Sequence, residues 1–184
     1  MVAGMTNVEF YALGLAPAVL IVLLLGSRGL WLAAAVMVLE FAASNGAVAA
    51  SGRHDPAEAF AFLHFLCAWL LLRDSRHSAE VIIGGIYAVL FLIDGLYLAL
   101  VVAHAFLPAW VSGPPSAGLY LWMTAGGGWA QIAALAAGGL ADGTGNRSAI
   151  TFAGARYRPV GVGAGLAVAG AAVLAGVAHA AGAA

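Results

Sequence analysis

The chain has 184 residues, 64% of them hydrophobic and 8% charged, with a formal net charge of −1. Soluble domains carry about 25% charged residues, so this composition excludes an ordinary soluble fold and points to an all-α, polytopic integral membrane protein. A charge this close to zero gives no reason to expect nucleic acid as a partner, and the single cysteine, Cys67, rules out an internal disulfide.

The amino-terminal stretch MVAGMTNVEF has no basic residue ahead of its apolar run and carries Glu9. It does not read as a cleavable leader, and the first hydrophobic segment, 8–25, is expected to stay. Pro17 lies inside that segment and removes a backbone donor, which predicts a kink or an early turn. Ser27 and Arg28 form a short turn before segment two, 30–50, which carries Glu40 at its centre with Ser44 four residues on and therefore on the same face. The stretch SGRHDP then breaks the apolar run with Gly, Asp and Pro.

Segment three, 57–72, is the shortest and holds His64 and Cys67 on one side. Residues 73–78 form a charged hairpin, read as a solvated turn. Segment four, 79–107, is the longest uninterrupted apolar run. At ~1.5 Å per residue it exceeds the roughly 30 Å of bilayer hydrocarbon, so it should cross with some tilt. Its polar residues form a stripe: Glu80, Tyr87 and Asp94 recur every seven, and Tyr97 and His104 repeat that interval three residues on. Such a stripe faces other helices or water, not lipid.

Prolines at 108, 114 and 115 end that helix. Segment five, 117–140, contains Tyr120, Thr124, Gln131 and three successive glycines, Gly126 to Gly128, which either weaken a helix or admit a close neighbour. A longer loop with Arg147, Arg156 and Arg158 leads to segment six, 160–182, whose Gly, Ala, Val and Leu composition suits close helix packing in lipid, inside the bundle or between copies. The connections are too short for a soluble domain, leaving one membrane domain over 1–184.

Six spans place Arg28, Arg73, Arg76, Arg147, Arg156 and Arg158 on one side and Arg53 alone on the other. Positive-inside bias then puts both termini on the non-cytoplasmic side of a cytoplasmic-type membrane, inner or plasma.

Counting inward from the predicted ends, Glu40, His64, Asp94 and Gln131 fall near mid-depth on four helices. A charge there costs about 2.5–3.5 kcal/mol on insertion scales, so these groups are paired, protonated or hydrated. The leading functional reading is a small channel or transporter for protons, cations or a small polar solute. In it Glu40 and Asp94 exchange the ion with His64 between them, and Tyr87, Tyr97 and Gln131 line the path. A non-catalytic assembly subunit of a membrane complex, in which Glu40–His64 or Asp94–Gln131 bonds hold helices together, is the alternative. No cofactor is expected on the leading readings; a third reading has His64 and His104 as axial ligands of a b-type haem. His54, His104 and His179 match no metal-ligand spacing, so no metal is expected. No hydrolase, metalloprotease or phosphate-loop motif is present, and Cys67 buried in hydrocarbon is a poor nucleophile, so catalysis is not expected.

Overall fold

The computed structural model describes residues 7–52, 56–73, 77–107 and 116–144, and every regular element among them is helical. The helices are α1 (Asn7–Leu25), α2 (Arg28–Ser51), α3 (Ala57–Arg73), α4 (Ser78–Phe106) and α5 (Ala117–Gly143). Segment six, His54, His179 and the arginines beyond 144 lie outside the described residues. Of the helices, α2 and α4 are long and apolar enough to cross a membrane.

Local chemistry sets the ends. Leucine, valine and alanine carry α1 without interruption through Pro17, so the proline does not make a turn. Gly26 and Ser27 are all that separates α1 from α2, and Arg28 opens α2 instead of belonging to the turn. Gly52 terminates α2 in the left-handed conformation, φ 65°, with its N–H on the Val48 carbonyl, a stop that glycine makes without a Cβ penalty. A reciprocal cap opens α4: the Ala79 N–H donates to His77 Nδ1 at 3.1 Å, and the His77 N–H donates to Glu80 Oε2 at 2.9 Å.

Packing is most extensive between α3 and α4, α1 and α5, and α4 and α5, while α2 lies against all four others. Glycines set how closely these pairs approach. A Cβ on Gly84 would meet Leu72 Cγ at 2.9 Å and Leu71 Cβ at 3.0 Å, so α3 and α4 touch almost backbone to backbone. The triple glycine of α5 stays helical and divides its work. Gly127 takes Leu90 of α4, Gly128 takes Tyr11 of α1, and Gly126 faces open space. The antiparallel register of α5 on α4 follows, with Gly127 opposite Leu90 and Gly138 opposite Ala79.

Polarity is distributed inside out. Asp94 is 0% exposed and Gln131 1%, and Glu80, His64 and His77 are also buried, alongside Val22, Leu30, Met37, Ile83 and Leu135. Outward stand Leu24 at 72% and Trp122 at 81%, with Leu13, Leu39, Phe62 and Phe106.

Candidate functional site

The central polar cluster is built from one side chain on each of four helices. Asp94, on the buried stripe of α4, receives two partners. The Tyr120 hydroxyl of α5 donates to Oδ1 at 2.9 Å, and His64 of α3 sets Nδ1 2.7 Å from Oδ2. The other ring nitrogen, Nε2, faces Glu40 Oε1 of α2 at 3.7 Å. That distance is ion-pair range but too long for a direct hydrogen bond. Glu40 also accepts from the Ser44 hydroxyl at 2.6 Å. The order along the chain of contacts is therefore Ser44, Glu40, His64, Asp94, Tyr120.

The four positions differ in access. Asp94 is sealed, whereas the Glu40 side chain retains 11% exposure and is the open end of the line. With Asp94 ionised, His64 donates from Nδ1 and turns its Nε2 lone pair toward Glu40. A proton arriving at Nε2 makes both ring nitrogens donors between two carboxyl groups. An imidazole can accept at one nitrogen and release at the other, so this geometry suits proton transfer.

The remaining sequence-selected residues surround this line. The Tyr87 ring lies 5.8 Å from that of His64, and Tyr97 stacks on Tyr120 at 4.3 Å between centroids. Tyr87 Oη and Gln131 Nε2 are buried with no hydrogen-bond partner among the described residues. Gln131 does not bond Asp94, since it lies eleven residues, about three turns, along α5 from Tyr120, which does. His104 is not brought to His64. It lies ten residues past Asp94 on α4, about 15 Å along the axis, and its Nδ1 is likewise without a partner among the described residues. Among the described residues no group of three or more His, Cys, Asp or Glu side chains is arranged to hold a metal ion.

Tyr120 is the member that sequence reasoning passed over. A signal existed, since Tyr120, Thr124 and Gln131 are spaced four and seven apart and share one helix face.

A second polar cluster lies where the α1–α2 turn, the start of α4 and the end of α5 meet. Asp142 Oδ2 accepts from the Ser27 N–H at 2.8 Å, and its Oδ1 lies 3.2 Å from His77 Nε2. Because His77 Nδ1 already accepts from Ala79, Nε2 carries the proton and donates to Asp142. Burial alone would raise the Asp142 carboxyl, but the bonds from Ser27 and His77 outweigh it and hold the group below the usual aspartate value. His77, expected in a solvated turn, is instead buried, because its ring supplies both the cap of α4 and a tie to α5.

No protein-family model matches the chain, and no curated protein or solved structure shows significant similarity to it.

Proposed function

We propose that this is a multi-pass protein of a cytoplasmic-type membrane that moves protons through the Glu40–His64–Asp94 line. The inside-out polarity supports the membrane part: exposed Leu, Phe and Trp suit acyl chains, and ionisable side chains suit a shielded interior. Arg28 and Arg73 lie at the end where Asp142 stands, which favours that end as cytoplasmic in a six-span arrangement with both termini outside.

The single observation that carries the transport reading is His64 seated between two carboxyl groups from different helices, 2.7 Å from one and 3.7 Å from the other. The imidazole fills the gap that a metal cation would need, so the proton is the favoured ion over sodium or potassium. Reconstitution into liposomes with an internal pH-sensitive dye tests this. Wild type dissipates an imposed pH gradient, and Glu40→Gln, His64→Gln and Asp94→Asn each abolish the flux. A wild-type protein that leaves the gradient intact overturns the reading.

One observation favours a second reading, an assembly or scaffold role. Asp94 is fully sealed and ties α3 to α5, which is also how a structural clamp is built. Under that reading Asp94→Asn lowers stability in detergent, and wild type carries no proton flux.

A further inference from the structure

Two buried polar groups are left over by the contacts of the relay, Tyr87 Oη at 0% and Gln131 Nε2 at 1% residue exposure. An unpaired buried donor costs about 1–3 kcal/mol, so each of these two groups calls for a partner.

Register and azimuth bring them to one place. With Gly127 opposite Leu90 and Gly138 opposite Ala79, Gln131 falls opposite positions 86–87 of α4, the level of Tyr87. On α4, Leu90 and Ala79 face α5, Gly84 and Phe91 face α3, and Tyr87 projects between these two directions. On α5, Gly127 faces α4, Gly128 faces α1, and Gln131 lies between. Both side chains therefore turn into the interior wedge under α2, where His64 and Glu40 also stand. The Tyr87 ring lies 5.8 Å from that of His64, so the wedge adjoins the relay. Toward the Glu80 end the same register sets Ile83 level with Leu135, and both are fully buried.

Resting on the proton-transfer reading, we propose that Tyr87 and Gln131 hold internal water beside His64, and that this water exchanges protons with the Glu40–His64 pair. The water spans what the 3.7 Å Nε2–Oε1 separation does not bond directly, since a molecule set off the axis reaches both atoms. Tyr87 both donates and accepts, Gln131 donates from its amide, and bound water typically makes about three bonds, which these groups and Glu40 supply. Ile83 and Leu135 close the water site on the Glu80 side, so protons enter it from the relay and not along an open column.

Melting in detergent and flux in liposomes of Tyr87→Phe and Gln131→Met test this separately. If water fills the wedge, each variant forfeits a satisfied bond, melts about 2–4 °C lower and carries at least tenfold less flux than wild type. Higher melting temperatures in both variants show that the wild-type groups are dry and overturn the proposal, whatever the flux. Lower melting with wild-type flux, while Glu40→Gln is inactive, overturns the water's role and leaves the relay standing. If wild type itself carries no flux, the transport reading falls and the water's role falls with it.

Discussion

Asp94 and Tyr120, on helices α4 and α5, meet through a 2.9 Å bond from the phenol hydroxyl to a carboxylate oxygen that has no exposure at all. This bond fills the one oxygen that His64 leaves free. A sealed acid with both oxygens occupied is fixed in rotamer and position, so the mobile step of any proton transfer falls at the other end, between His64 and the partly exposed Glu40.

Tyr120→Phe should keep the ring stack on Tyr97 and lose only the hydroxyl. Removing a hydrogen bond to a charged buried group costs about 1.5–3 kcal/mol. Unfolding midpoints in detergent should fall accordingly, and flux should drop because Asp94 is free to turn. Unchanged stability would mean the phenol bond carries no weight.

His64→Leu should cost more. Breaking a buried pair by removing one partner is worth about 3–5 kcal/mol, because the other charge stays buried. Asp94→Asn in the His64→Leu background should recover part of that loss, since it removes the stranded charge. A double variant less stable than His64→Leu alone would contradict the pairing.

Asp142 predicts a pH dependence at the Ser27–His77 cluster. Its folded carboxyl lies below the ordinary aspartate value of 3.8, so its ties to Ser27 and His77 stabilise the fold fully above that value. The contribution is lost as pH falls below 3.8 and through the lower folded value. At pH 7 Asp142→Asn should melt below wild type, and the difference should shrink as the pH is taken down through that window. A difference that grows on acidification would reverse the sign and discard the assignment.

The glycines separate into two classes that alanine scanning should resolve. Gly126 has nothing within 4 Å of a new Cβ, so Gly126→Ala should gain up to about 1 kcal/mol of helix propensity. Gly84 meets the Cβ of Leu71 and the Cγ of Leu72, atoms too near the backbone to swing away. Gly84→Ala should cost about 1–3 kcal/mol by pushing α3 off α4 and should lengthen the His64–Asp94 contact. Thermal melts of the two variants, with opposite signs expected, check this.

Much of this arrangement was legible by counting. Five helices appear within a few residues of the apolar runs that predicted them, because runs of Leu, Val and Ala and breaks at Gly, Pro and Ser are local signals. Counting depth also grouped Glu40, His64 and Asp94. Depth counted on each helix separately does not fix the register between helices, however. It pairs Asp94 with Gln131, whereas the α5 partner is Tyr120, on the same face as Gln131 but eleven residues, about three turns, nearer the start of the helix. The Ser27–His77–Asp142 cluster was hidden for another reason: His77 sits among charged neighbours in the sequence, and only the close return of α5 past the α1–α2 turn makes it interior.

The order in which Asp94 finds its partners has a consequence for biogenesis. His64 lies on the helix made just before α4, and Tyr120 on the one made just after. Under the proposed membrane reading, a ribosome emitting this chain delivers the acid after its imidazole partner, so α3 and α4 would enter lipid as a hydrogen-bonded hairpin. Only the arrival of α5 completes the set, and a nascent chain halted before Tyr120 would carry a half-satisfied carboxylate, the kind of defect that membrane quality control detects.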